Sequence, residues 1–219
     1  MSRAKEKAHA VVCLNNQKQI VLGYRMAIEE DPKSTFQTEG WLSGPEIGLN
    51  RCWICPCAPA KATSAFFGDI ETPWNYHWGS VTNLRTASYS INAWLFFPAL
   101  QRFSSEGEII QPVSTPLLAD GTCYIARPTA VDIPAVDLYT GYDGVNPSGF
   151  GLGMGCLNIP RHGNRPRTVP RNWPASAPLP GAVNVGFFDG HAQSVKLDAL
   201  WQLYWHAAYV PPPKRPGLR

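Results

Sequence analysis

The chain has 219 residues, with 19 Lys plus Arg against 16 Asp plus Glu, a net charge of +3 that is too slight to mark a nucleic-acid surface without a concentrated patch. Charged residues make up only 16%, where roughly 25% is usual, and 19 glycines and 21 prolines accompany them. That composition excludes a disordered or fibrous chain, and apolar runs well short of roughly 18 residues exclude a bilayer span within this sequence. No low-complexity linker divides it, so one loop-rich body with appendages is expected: a helix over 1–32, a globular body over 33–210 and an extended tail over 211–219.

Residues 1–7 follow charge with an amphipathic segment rather than an apolar core and cleavage site, so they do not read as a signal peptide. From Arg3 to Glu30 there is no proline and one glycine. Ala4, Ala8, Val11, Val12, Leu14, Val21, Leu22 and Ile28 recur mostly at three and four, which predicts a long amphipathic helix. Asp31-Pro32 stops it, because proline disfavours helical geometry before it and lacks the next backbone donor.

Beyond Pro32 the pattern becomes short apolar runs punctuated by Gly, Pro, Asn and Asp, with candidate strands at 89–97, 122–126, 183–188 and 192–197. The last two flank Asp189-Gly190, a dipeptide suited to the positive backbone angles of a tight hairpin, and Val183, Val185 and Phe187 share one face. Leu200, Trp201, Leu203 and Tyr204 predict a short helix over 197–206, ended by Pro211-Pro212-Pro213. The final residues 214–219 have nothing to bury and read as an extended, polyproline-like tail.

Two ends of the chain carry a family resemblance. At the front, residues 2–8 and then Cys13-Leu14-Asn15-Asn16-Gln17-Lys18-Gln19-Ile20 resemble the membrane-distal half of a pilin spine helix. At the back, Arg161-His162-Gly163 and the run from Gly181 through Asn184 to Asp189-Gly190-His191 resemble the signature hairpin of the prepilin-type H-X9-DG proteins. Strict spacing would put the histidine at Leu179, whereas His162 lies across a Pro- and Arg-rich insertion. Cys55-Pro56, residues 88–92, residues 115–120 and Asp137-Leu138-Tyr139 are similar to further landmarks of that family.

The resemblance implies an α+β fold: a long N-terminal spine helix packed on a small antiparallel sheet with long Pro/Gly-rich loops. It implies a non-enzymatic structural subunit of a type IV pilus-like or type II secretion pseudopilus-like filament. Its partners would be copies of itself or other pilin-like subunits, with no nucleic acid. The place would be the periplasm, cell envelope or an extracellular filament, from a precursor anchored in the inner membrane by an apolar half-helix that Met1 replaces here.

Other readings stay open at this point. Cys13, Cys52, Cys55, Cys57, Cys123 and Cys156 are disulfide candidates with fifteen possible full pairings, and Cys13 is placed to tether helix to body. Cys52, Cys55 and Cys57, with His77 or Cys123 as a fourth ligand, have the donor types of a tetrahedral zinc site. Asp120 in its Ala-Asp-Gly turn raises structural calcium, but six or more oxygens cannot be assembled around it; the sequence assigns no cofactor. Asp189, His162 and His191 suggest a catalytic or metal corner, against the plainer reading of a hairpin turn. Arg165, Arg167 and Arg171 lie in a stretch, 144–188, with no acidic residue, and with exposed aromatics they offer an alternative function: a cell-envelope module binding anionic glycan or surface. No Gly-x-Ser-x-Gly, Gly-Lys-Ser/Thr or His-Glu-x-x-His motif occurs, so no enzyme is expected.

Overall fold

The structure is a computed structural model that describes residues 3–30, 51–59, 66–77, 84–96, 103, 105–144 and 153–219. A 28-residue helix, α1 (Arg3–Glu30), lies against a mixed sheet. The Asp31-Pro32 stop lies outside the described residues. Among the described residues seven strands follow: β1 (Trp74–His77), β2 (Leu84–Ala87), β3 (Tyr89–Asn92), β4 (Pro116–Asp120), β5 (Ile125–Ala126), β6 (Ala182–Phe187) and β7 (Ala192–Lys196). The main sheet runs β5-β3-β4-β6-β7, and β1 and β2 form a separate antiparallel pair.

The main sheet departs from a purely antiparallel one at its edge, where β5 runs parallel to β3 through Ile91 beside Ile125. The expected strand over 89–97 ends at Asn92. That side chain accepts a hydrogen bond from the Trp94 amide and turns the chain into a short 3-10 helix, Ala93–Leu95. Its Nδ2 donates to the carbonyls of Pro116 and Trp205, both at 2.9 Å. The strand expected over 122–126 is likewise short, because Thr122, Cys123 and Tyr124 form a bend.

Central strands β4 and β6 are buried along their whole length, which explains their nearly continuous apolar character. Val183, Val185 and Phe187 enter a core with Leu157, Leu197, Leu200 and Trp201. The opposite face of β6 carries Gly186, and α1 comes so close that a Cβ there would lie 2.7 Å from Val21 Cγ2. Tyr24 fills this interface, packed edge-on against Phe96 and Phe188 at ring-centroid separations of 5.6 and 6.0 Å. Such aromatic pairs add stabilisation of about 0.5–1.5 kcal/mol each beyond area burial.

The β6–β7 connection is a hairpin, but not the two-residue turn that Asp-Gly suggests. The Gly190 amide donates to Phe187 O at 3.1 Å, the Phe187 amide donates to His191 O at 2.8 Å, and only Gly190 (φ 105°) has a positive φ. A three-residue loop with glycine in the last position results.

Two expectations near the C-terminus are corrected. The helix over 197–206 is a 3-10 helix, Leu197–Gln202, after which the chain extends. Residues 214–219 are not a free tail: Arg215 is buried, pairs with Asp198, and donates to Ala175 O at 2.7 Å and to Ala177 O. Its guanidinium lies 5.9 Å from the Trp201 ring centre. Burying that cation requires such partners, and the segment contributes packing that its composition concealed.

Candidate functional site

Beneath α1, four separate segments bring titratable side chains together. Cys13 comes from the helix, Cys55 from the loop after the 3-10 turn Arg51–Trp53, Asp120 from the end of β4, and His162 from the residue pairing with Ala182 beside β6. One ligand-type atom from each lies within 4.8 Å of every other, and all four residues are buried.

Their arrangement follows from the fold. Among the described residues Cys13 is the first buried position along α1, in helical register with Gln17, Val21 and Tyr24 on the face against β6. Gln17 Nε2 donates to Asn184 O at 3.1 Å, and Asn184 Nδ2 donates to Ala10 O at 3.1 Å, fixing helix to strand. Ser88, the residue between β2 and β3, donates its amide to Trp53 O at 2.9 Å and its hydroxyl to Ala58 O at 3.2 Å, which holds the Cys55 loop under the helix.

Within the cluster, Cys13 Sγ lies 3.3 Å from the Tyr89 hydroxyl and donates to Asp120 Oδ1 at 3.6 Å. His162 Nε2 lies 3.2 Å from Asp120 Oδ2 and 3.5 Å from Cys55 Sγ. Its Nδ1 lies 3.9 Å from Cys57 Sγ. Asp120 Oδ2 also accepts the Asn184 amide at 2.7 Å. Arg161 closes the remaining side, with Nη1 3.4 Å from Asp120 Oδ1 and 2.5 Å from Ser88 O, and Nη2 donating to Asp69 O at 2.8 Å.

Burial pushes the Cys13 thiol up, and burial with the adjacent Cys13 raises Cys55 to about 11. The Cys55 thiol, then burial, raises Cys57. Burial alone would raise the Asp120 carboxyl, but His162 and Arg161 outweigh it and hold Asp120 below the usual range. Burial alone would lower His162; Asp120 and the neighbouring sulfurs outweigh that and raise it. The site thus joins two cationic groups, one carboxylate and protonated thiols away from water.

Of the residues that carry the sequence resemblance, Arg161, His162 and Asn184 converge on Asp120, whereas Gly163, Asp189 and Gly190 shape turns. Asp189 and His191 form an exposed pair at 2.6 Å, with His191 stacked on Phe187, so no corner with His162 exists. Gly163 and Gly181 both have positive φ, 70° and 76°, and bracket the insertion. His162 and Ala182 exchange two backbone hydrogen bonds of 2.9 Å, so the intervening chain leaves and returns at one point.

The cysteine expectations are partly rearranged. Cys52, His77 and Cys123 are not in the cluster, and Cys13 takes a place the sequence did not assign it. Cys123 instead forms a second thiol pair with Cys156, which raises the latter together with burial. All six disulfide candidates are thiols in this structure. Asp120 faces two cations rather than a shell of oxygens, which does not fit calcium. Of the candidate anion-binding arginines, Arg165 pairs with Glu71 at 2.8 Å, and Arg171 pairs with Asp137 at 3.2 Å and stacks over Tyr139. Arg167 is exposed.

Sequence reasoning missed Asp120 as the organising residue, although an acid ending an otherwise apolar Pro-Leu-Leu-Ala strand is a signal in itself. Comparison with protein-family models, curated proteins and solved structures finds no match to this chain. Among the described residues, no helix is long and apolar enough to cross a membrane.

Proposed function

We propose that this chain is a structural subunit of a pilus-like or secretion-pseudopilus-like filament at the cell envelope, with α1 as part of a shared helical spine. The observation that carries the reading is that α1 exposes apolar side chains on the side away from the body, interspersed there with Asn15, Lys18 and Glu29. One side, Cys13, Gln17, Ile20, Val21, Tyr24 and Ile28, is buried against the body. At 3.6 residues per turn, Val11, Leu22 and Met26 fall within about 60° of one another on the opposite side. They are 56%, 46% and 61% exposed, beside Val12 at 45%.

A helix that only covers its own sheet needs one apolar face. Exposed apolar residues on the other side suit packing among neighbouring spines, where burial contributes about 25 cal/mol per Å². From Ala4 to Val12 the described side chains of α1 are exposed or half-buried, so its first turns also offer surface to neighbours.

The insertion supports the same family. Excising 164–180 joins Gly163 to Gly181 and leaves nine residues between His162 and Asp189, the H-X9-DG spacing. The reading assigns no catalytic step, and its partners are copies of this chain or other pilin-like subunits.

A photoreactive residue placed at Leu22 or Met26, in the protein expressed from its own gene, is expected to cross-link to other subunits. The same probe at Arg167, on the far loop, is expected not to. Absence of cross-links from both helix positions, in cells where the protein is present and folded, overturns the proposal.

A further inference from the structure

We propose that Cys13, Cys55, Asp120 and His162 hold a structural zinc ion that fastens α1 to the body. A tetrahedral site with Zn–S of about 2.3 Å and Zn–N or Zn–O of about 2.0–2.1 Å has S···N and S···O edges of about 3.6 Å and an N···O edge of about 3.3 Å. Two contacts of the cluster already have such lengths, 3.5 Å from Cys55 Sγ to His162 Nε2 and 3.6 Å from Cys13 Sγ to Asp120 Oδ1, and one ligand atom from each of the four residues lies within 4.8 Å of every other.

Charge supports the assignment. Metal binding releases the two thiol protons and the proton that His162 Nε2 carries beside Asp120, so the two thiolates and the carboxylate bring three negative charges, and a dication with Arg161 brings three positive. A buried centre of zero net charge avoids the desolvation cost of an isolated ion. Mixed sulfur, imidazole and carboxylate donors in tetrahedral array suit zinc rather than calcium or magnesium.

The supporting contacts also fit. When one Asp120 oxygen binds the ion, the other keeps the Asn184 amide, and His162 Nδ1 faces Cys57 Sγ as an outer partner. All four ligands are buried, which fits a closed structural centre rather than a catalytic one with an open position. The ligands come from the helix, a loop, a strand and the residue preceding the insertion. The ion therefore cross-links chain segments that the sequence keeps far apart.

The test uses the full chain, purified anaerobically with its thiols reduced and exposed to zinc or cobalt alone. One equivalent of zinc is expected by elemental analysis. The cobalt form is expected to show sulfur-to-metal charge transfer and a tetrahedral visible spectrum. X-ray absorption of the wild-type zinc form, which needs no variant to fold, is expected to give two sulfur and two nitrogen or oxygen neighbours. Cys13→Ser, Cys55→Ser and His162→Gln should each weaken binding by more than about 100-fold, beyond what loss of an outer partner does, and Cys57→Ser by about 10–100-fold. Cys52→Ser and Cys123→Ser should leave it unchanged. Failure of the folded, reduced protein to bind one equivalent overturns the proposal. So does a first shell of other composition, or loss of the ion on changing Cys52 or Cys123.

Discussion

Gly186→Ala tests how tightly α1 is seated. Gly186 does not have a positive φ, so alanine suits its backbone and any cost must come from space. The new Cβ would sit 2.7 Å from Val21 Cγ2, while Leu118 Cγ and Gln17 Cβ stand at ordinary contact distances of 3.6 and 3.7 Å. Normal carbon contacts begin at about 3.5 Å, so Val21 or the helix must retreat by almost an ångström. Val21 is β-branched, with essentially one helical rotamer, and fully buried, so it cannot swing away. Overpacking of this kind costs about 1–3 kcal/mol. In a chain of this length that lowers Tm by roughly 2–4 °C per kcal/mol. Urea denaturation of wild type, Gly186→Ala, Val21→Ala and the double variant closes a cycle. Because Val21→Ala opens the volume that the added methyl group needs, the double variant is expected to be at least about 1 kcal/mol more stable than additivity predicts. A Gly186→Ala cost below about 0.5 kcal/mol, or strict additivity, would refute the close seating of helix on sheet.

His206 lies between Trp94 and Tyr209, at ring-centroid separations of 4.8 and 5.2 Å, and among the described residues its Nδ1 has no hydrogen-bond partner. Burial lowers its pKa, so the unfolded chain takes the proton first; stability is fully present above about pH 6.5 and falls below it, by at most about 1.4 kcal/mol per pH unit. Denaturation at several pH values should show wild type losing ground to His206→Phe only on the acid side, and parallel curves would sink the argument. Arg165→Ala removes a partly exposed pair with Glu71 and is expected to cost less than about 1 kcal/mol by the same assay; a larger loss would mean that the insertion is held mainly by that pair. Deleting 164–180 is expected to leave a folded but less stable protein: an added Cβ on Gly163 would already lie 3.4 Å from the Gly181 carbonyl carbon, so the chain can close, but the buried Val169 and Leu179 go, as do the Ala175 and Ala177 carbonyls that accept from buried Arg215 and the Pro170 carbonyl that accepts the Leu138 amide. Near-wild-type circular dichroism with a cooperative melt would bear this out, and a molten chain would count against it.

Much of the architecture is written locally. The uninterrupted periodicity of α1 and the pattern of β6 and β7 around their turn contain their own signals. Elements fixed by distant partners are less legible. Asn92 ends β3 because its side chain reaches Trp94, Pro116 and Trp205, and nothing in its own segment announces that. Arg215 sits among residues of tail-like composition and is buried because Asp198 and the carbonyls of Ala175 and Ala177 await it.

The cluster under α1 shows where the limit lies. Cys52, Cys55 and Cys57 attract attention as neighbours in sequence, yet donor geometry depends on where the backbone brings side chains, and only Cys55 stands with the others of the four. Cys13 reaches it because helical register places that residue on the buried face one turn before Gln17. His162 reaches it because the insertion closes on itself: Gly163 and Gly181 supply the two left-handed turns, and the His162 to Ala182 hydrogen bonds restore a pairing that linear spacing hides. Counting residues along the chain treats 164–180 as distance. In the fold they are a detour, and the histidine stands where a much shorter connection would have put it.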